Sequence, residues 1–375
     1  MKTNLSDLQH IARGQLVTIV GNRPQFIKMT AVSRELERRG IAEIILHTGQ
    51  HYDHQMNQIF FDELGIRKPD LQLSVEGKTH GAMTGELLEK IEQILMQIEP
   101  RGVLVYGDTN STLAASLAAV KMGIPLAHVE SGPRLGNLDT PEEVNRIVAD
   151  HCATLRFVSD SVSQDNLARE GITRGVLNVG DVMLDVFQQY SEGLNRRPPW
   201  DGTTPANVYM TLHRPQNVDD RDCHLKIIEF VRQSGASFVF PLHPRTEKKL
   251  AEFGLVEAYS SLPNLRLSGA IGYVDSIREV LNADLIVTDS GGLQKEAYFA
   301  GKMSMLMLPD TPWPELETSG WQLLGGWVRD GGMAAQYEAL RLRGRPAAAP
   351  PFFGKGDAAV RIVDALVAHG LVGEQ

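Results

Sequence analysis

Residues 283–301 read ADLIVTDSGGLQKEAYFAG, and their pattern decides the fold. Leu285–Thr288 is a short apolar, β-branched run of the kind buried on both faces of a parallel sheet. Asp289-Ser290-Gly291-Gly292 interrupts it, and residues 293–300 then carry a helical pattern that Gly301 stops. A strand running through Ser-Gly-Gly into a helix leaves several backbone N–H groups unpaired at the helix N-terminus. Gly291 and Gly292 lack a Cβ and let an anion approach those groups, and the helix dipole favours negative charge there. Glu296, about one turn in, is placed to accept hydrogen bonds from ribose hydroxyls. A plain strand–turn–helix with Ser290 as N-cap accounts for the same residues equally well.

Outward from this stretch the alternation continues in both directions. Strand patterns fall at residues 208–212, 238–240, 265–267 and 303–308 in the same series. Upstream they fall at 15–20, 43–48, 103–106, 126–129, 155–158 and 176–179. Between them lie helical patterns at 25–39 and, most clearly, at 83–98, where Leu87, Leu88, Ile91, Ile94, Leu95 and Ile98 share a face. Arg196-Arg197-Pro198-Pro199-Trp200 and Thr203-Thr204-Pro205 form a stiff polar connection between the two series. Residues 341–351 read as a second crossover and 357–369 as an amphipathic helix. The fold class is α/β, two doubly wound domains with a central cleft, and ligands in such folds meet the carboxyl ends of the strands.

Composition narrows the function. The 375 residues carry a formal net charge of -9, which argues against a nucleic-acid partner. Cys152 and Cys223 are the two cysteines, too few for a disulfide framework or a thiolate metal cluster. No apolar run approaches the roughly 18 residues of a membrane helix, and the first residues are too polar for a signal peptide. A cytoplasmic location is expected.

The loops after the strands of the first series, with the helix starts that follow, gather Arg23, Lys28, Gln50, His51, Asp108, Glu130, Arg134, Glu142 and Glu143. Several carboxylates beside cations are the equipment for proton transfer next to an anionic substrate. Each has a plainer role: Asp108 as a helix N-cap, Glu142 and Glu143 as first-turn acids favoured by the helix dipole. In the second series, Thr211-Leu212-His213-Arg214 and Pro241-Leu242-His243-Pro244-Arg245 each end a strand with a histidine and an arginine. Together with Ser290-Gly291-Gly292 these would complete a diphosphate site. His47, His51 and His54 suggest a metal, but Thr48-Gly49 between them breaks any single helix face, and no metal site is expected. Neither a Lys-Ser/Thr phosphate loop nor Gly-x-Gly-x-x-Gly occurs.

Taken together, the motifs resemble the non-hydrolysing UDP-N-acetylglucosamine 2-epimerase family over nearly the whole chain. Gly21-x-Arg23-Pro24-Gln25-Phe26-Ile27-Lys28, Thr48-Gly49-Gln50-His51 and Gly107-Asp108-Thr109 occur in order. They are followed by His128-Val129-Glu130-x-Gly132-x-Arg134 and Pro141-Glu142-Glu143-x-Asn145-Arg146. His213-Arg214, Pro241-x-His243 and Thr288-Asp289-Ser290-Gly291-Gly292-x-Gln294-x-Glu296 complete the set. The resemblance implies a GT-B-like pair of Rossmann-like domains. Residues 1–190, rejoined by the C-terminal helix 357–375, would carry the acid/base carboxylates, and residues 191–356 would bind UDP.

It further implies reversible C2 epimerisation of a UDP-N-acetylhexosamine through UDP elimination to a 2-acetamidoglucal, with no metal or redox cofactor. By resemblance Asp108, Glu130 and Glu142 are the acid/base groups and His213 assists at the departing diphosphate. Arg23, Lys28, Gln50, His51, Arg134, Arg214 and His243 help hold substrate, while Ser290, Gly291, Gly292 and Glu296 take phosphate and ribose. A homodimer is implied, and in some bacterial members activation by substrate.

Departures from the pattern are Asn22 in place of Thr, and Ser131 and Pro133 within the common Glu-Ala-Gly-Leu-Arg. In the loop 307–315, Leu308 and Trp313 stand where the family has arginine. The stretches 23–28, 50–53, 106–112 and 241–246 look like a branch that includes epimerases of UDP-2,3-diacetamido-2,3-dideoxyglucuronate. Two substrates therefore stay open. A hydrolysing epimerase and a GT-B glycosyltransferase are the alternatives; the latter would leave the first-domain carboxylates without a purpose.

Overall fold

The computed structural model describes residues 13–49, 63–75 and 78–373. Buried β-branched and leucine runs form the strands, and the helices between them cover both faces of each sheet, so the strands need no polar side. The chain divides into two compact units, Met1–Gln188 with Pro351–Gln375, and Gln189–Pro350.

In the first unit the described strands are β1 (Leu16–Val20), β2 (Glu43–His47), β3 (Leu71–Gln72), β4 (Gly102–Tyr106), β5 (Leu126–Val129), β6 (Leu155–Val158) and β7 (Val176–Asn178). They pair in the order β3-β2-β1-β4-β5-β6-β7, all parallel. The chain reverses direction across the sheet between β1 and β4, the position where a crevice opens at the carboxyl ends of such strands. Registers Ile19↔Val105 and Tyr106↔Val129 bring the ends of β1, β4 and β5 side by side.

Leu87, Ile91, Leu95 and Ile98 of the helix His80–Ile98 pack in the same core as Val17, Ile19, Val103 and Val105. Ala114, Ala115 and Ala118 of the helix Asn110–Lys121 join them, their small side chains allowing close approach. The helix Ala358–Ala368 belongs to this unit. Asp185 accepts from the backbone N–H of Ala358 at 3.2 Å and of Ala359 at 2.8 Å, serving as its cap from a distant part of the chain. Burial pushes the Asp185 carboxyl up to about 6 against those two bonds.

At the end of β2, His47 is buried edge-on against Phe26 at 4.9 Å. Burial holds its imidazole down to about 4, opposed by a backbone hydrogen bond at Gly21. Between pH 6.5 and 4 the unfolded chain takes up a proton here that the folded one refuses. Stability is therefore full above about pH 6.5 and falls as the pH drops through this window, by up to about 3 kcal/mol. Thermal unfolding followed from pH 7.5 to 4.5 should show a decline that His47→Gln flattens.

The second unit repeats the design with β8 (Asn207–Thr211), β9 (Ser237–Pro241), β10 (Leu265–Ser268), β11 (Leu285–Thr288), β12 (Met303–Leu306) and β13 (Gln322–Leu324). Their order is β10-β9-β8-β11-β12-β13, again parallel, with the reversal between β8 and β11. Thr211 pairs with Thr288, and their hydroxyls meet at 2.7 Å.

Boundaries differ from expectation where caps decide them. The helix after β11 is Gly291–Phe299, because Ser290 Oγ accepts from Leu293 N–H at 3.4 Å and so draws both glycines into the first turn. The helix after β1 begins at Arg23, since Asn22 caps it. The strand expected over 303–308 ends at Leu306. Arg341 lies inside a helix, Met333–Arg343, rather than opening the crossover.

Candidate active site

The first unit assembles a cluster from three neighbouring strand ends. After β1, the Gln25 side chain accepts from Gly21 N–H at 2.7 Å and donates to Tyr106 O at 2.6 Å, Thr109 Oγ1 and Thr112 Oγ1. It thereby fixes the β1 loop against the β4 loop. Lys28, on the helix Arg23–Arg38, reaches Glu130 beyond β5 at 2.6 Å, with both side chains nearly buried. The pair lies over Gly107: a Cβ built there would be 3.5 Å from Lys28 Nζ and 3.8 Å from Glu130 Oε1. Gly107 has φ +59° and Glu130 φ +67°, a left-handed conformation that costs a side chain like glutamate energy.

Asp108 follows Gly107. Its carboxylate pairs with Arg146, which also bonds Glu143 at 3.1 Å. Burial works against the Arg146 charge, but Asp108, Glu143 and Glu130 around it hold the guanidinium above its ordinary value. Asn145 donates to Asp108 O at 2.9 Å. Glu143 is structural, its Oε1 accepting from Leu135 N–H at 2.8 Å and Gly136 N–H at 3.2 Å. Glu142, its neighbour in the first turn of the helix Pro141–Cys152, is half-buried. Its carboxylate makes no hydrogen bond or ion pair to another described residue.

Asp108, Glu130 and Lys28 thus come together, with Arg23 half-buried at the start of the same helix as Lys28. Arg134 is turned elsewhere: its guanidinium spans Asp150 at 2.7 Å and Glu170 at 2.7 Å. Gln50 and His51 lie outside the described residues. Among the described residues no group of His, Cys, Asp or Glu is placed to hold a metal ion.

The second unit gathers its cluster around a residue to which the sequence reading gave no role. Asp289 is fully buried. It accepts from His213 N–H at 3.0 Å, Arg214 N–H at 2.8 Å, Asn217 Nδ2 at 2.9 Å and His213 Nδ1 at 2.8 Å. Burial would raise its carboxyl, but His213, Asn217 and Arg214 outweigh that and hold it below the usual range. With Nδ1–H given to Asp289, Nε2 is the His213 nitrogen left to face a ligand. The His243 ring lies 5.3 Å from that of His213, and its Nδ1 accepts from Arg245 N–H.

Across the β8–β11 junction begins the helix Gly291–Phe299. A Cβ on Gly291 would make ordinary contact with the Trp313 ring at 3.7 Å, and one on Gly292 would meet nothing within 4 Å. Neither packing nor a positive φ requires glycine at 292, and helical glycine costs about 0.5–1 kcal/mol. Open space over exposed N–H groups suits an approaching anion. Glu296 lies buried on this helix, and Lys295 Nζ stands 4.4 Å over the Trp313 ring.

Two parallel sheets of Rossmann order, each with polar groups at its carboxyl edge, define a GT-B-like α/β protein. A family model for UDP-N-acetylglucosamine 2-epimerase matches residues 34–367, and the chain belongs to that family. It is 43% identical over 317 residues to a UDP-N-acetylglucosamine 2-epimerase homolog of Methanococcus maripaludis, covering 83% of this chain and 88% of that one. It is 42% identical over 323 residues to the UDP-2,3-diacetamido-2,3-dideoxy-D-glucuronate 2-epimerase of Pseudomonas aeruginosa, covering 84% and 89%. The crystal structure of the Methanocaldococcus jannaschii UDP-GlcNAc 2-epimerase with UDP-GlcNAc and UDP superimposes with a TM-score of 0.83. That match has 33% identity and covers 94% of this chain and 99% of the other.

Proposed function

We propose that this chain epimerises C2 of a UDP-N-acetylated hexosamine, of the UDP-GlcNAc to UDP-ManNAc type, by eliminating and re-adding UDP. The observation that carries this reading is the grouping of Asp108, Glu130 and Lys28 at adjacent strand ends in a member of this family. A carboxylate takes the C2 proton while the C1–O electron pair leaves with the β-phosphate. UDP then returns to C1 of the 2-acetamidoglucal and a proton is delivered to the opposite face of C2. Inversion needs proton acceptors and donors on both faces, a role for Asp108, Glu130 and Glu142 together. Lys28 and Arg23 steady the sugar portion.

In the second unit His213 Nε2 and Arg214 meet the leaving diphosphate, with Ser290, Gly291 and Gly292 at the helix N-terminus, His243 beside them and Glu296 for the ribose. Charge stabilisation on the departing UDP lowers the barrier to removing a weakly acidic C2–H. Arg134, engaged with two carboxylates, supports the loop that carries Glu130.

The near-equal likeness to a diacetamido-glucuronate epimerase favours that sugar as a second reading. Incubation with each UDP-sugar and chromatographic separation of the products tests both. One of them should yield its C2 epimer with no accumulation of free UDP. Free UDP growing with time beside a released sugar would replace this reading by the hydrolysing one.

The reading carries a cytoplasmic location and a homodimer with it. Among the described residues no helix is long and apolar enough to cross a membrane. The mass in solution decides the homodimer.

A further inference from the structure

His128 and Asp150 are both fully buried in the first unit, and the proposed proton transfer uses neither. His128 Nδ1 lies 2.8 Å from Asp150 Oδ1, and Nε2 lies 2.7 Å from Gly107 O. A carbonyl only accepts, so Nε2 carries a proton. The other Asp150 oxygen accepts from Gly132 N–H at 3.0 Å and Arg134 Nη1 at 2.7 Å. Burial would raise the Asp150 carboxyl, but His128 and Arg134 prevail and keep it below its ordinary value. Nδ1 faces that carboxylate and Nε2 the carbonyl, so both ring nitrogens are engaged.

The partners of this pair lie at the roots of two of the carboxylates, and Asp150 shares a helix with the third. The Gly107 carbonyl belongs to the peptide whose N–H is that of Asp108, so the His128 bond fixes the plane from which Asp108 departs. Asn145 holds the next carbonyl, that of Asp108 itself. Asp150 grips the N–H of Gly132, two residues beyond Glu130, while Ser131 Oγ donates back to His128 O at 3.0 Å. Gly132 has φ +90°, and a Cβ there would come within 2.4 Å of Ser163 O, so this turn is held from both sides. Asp150 also belongs to the helix Pro141–Cys152, whose first turn carries Glu142.

We propose that the buried His128–Asp150 pair is the positioning element that sets Asp108, Glu130 and Glu142 relative to one another for proton transfer. The proposal rests on the acid/base assignment above. It touches no reacting atom and acts through the backbone.

His128→Asn places an amide donor near the Nδ1 position, toward Asp150, and abandons the Gly107 carbonyl. It should lower kcat by roughly 10²-fold with KM changed by less than about twofold. Binding of UDP, read by calorimetry, should be retained, and a wild-type thermal unfolding profile is the control for folding of the unit that holds His128. Asp150→Ala and Asp150→Asn form the second pair. Both remove the charge, but the amide keeps a polar group for His128 Nδ1 and an acceptor for Gly132 and Arg134. Asp150→Asn should recover at least about tenfold of the kcat lost in Asp150→Ala.

Wild-type kcat in folded His128→Asn, or equal kcat in the two Asp150 variants, overturns the proposal. Should His128→Asn fail to fold, the Asp150 comparison decides alone. Asp108→Asn and Glu130→Gln keep the two questions apart. Undiminished turnover in them removes the acid/base assignment itself; their loss beside an active His128→Asn removes only the positioning role.

Discussion

Asp108→Asn should cut kcat by about 10²–10⁴-fold while the Kd for UDP stays within about twofold. The amide is the same shape as the carboxylate and its oxygen still accepts from Arg146, which keeps Glu143 as a second partner at 3.1 Å. Asn145 bonds the backbone of residue 108, not its side chain, so that contact survives. What disappears is the capacity to take or give a proton. Steady-state kinetics reads the loss, and calorimetric UDP titration shows that the proposed UDP ligands of the other unit are untouched. A wild-type thermal unfolding profile excludes a folding defect in the unit that holds Asp108. Turnover equal to wild type would remove Asp108 from the acid/base set.

Asp289→Ala should abolish UDP binding and lower the unfolding temperature of the second unit by roughly 10 °C. The substitution leaves the N–H groups of His213 and Arg214 and the Asn217 amide without their acceptor. Each buried unsatisfied donor costs about 1–3 kcal/mol. Asn217 also donates to Met307 O at 3.0 Å and accepts from Val328 N–H at 2.9 Å, so the disturbance reaches the loops after β12 and β13. His213 loses the bond that selects its outward nitrogen. Scanning calorimetry with and without UDP would read both effects, and an unchanged UDP-induced rise in unfolding temperature would contradict the role given to this site.

The strand–helix alternation was legible because buried parallel strands are short apolar runs punctuated by polar turns. The carboxyl-end loops carried their carboxylates, histidines and arginines in plain view. Less visible was what short-range pattern does not encode. Leu71–Gln72 and Gln322–Leu324 are strands only because β2 and β12 offer them edges to pair with. The helix Met333–Arg343 buries Met333, Tyr337 and Leu340 among alanines and arginines, a stripe too thin to stand out.

Within the site, direction was the missing quantity. Asp289 adjoins Ser290-Gly291-Gly292 in sequence but points inward to organise His213, which an aspartate at a strand end could equally not do. Arg134 and Glu143 have the residue types of ligand contacts and spend them on neighbouring parts of the chain. His128 and Gln25 sit within the motifs, yet their partners lie 22 and 81 residues away. Only the folded chain reveals them.

The most direct test is proton NMR of purified protein with UDP-N-acetylglucosamine in D₂O, following C2 and the anomeric signals, with the diacetamido-glucuronate sugar in parallel. Deuterium entering C2 as the C2-epimeric UDP-sugar appears is the expected result for one of the two. Protein that binds UDP but exchanges no C2 hydrogen in either sugar would contradict epimerisation at that carbon.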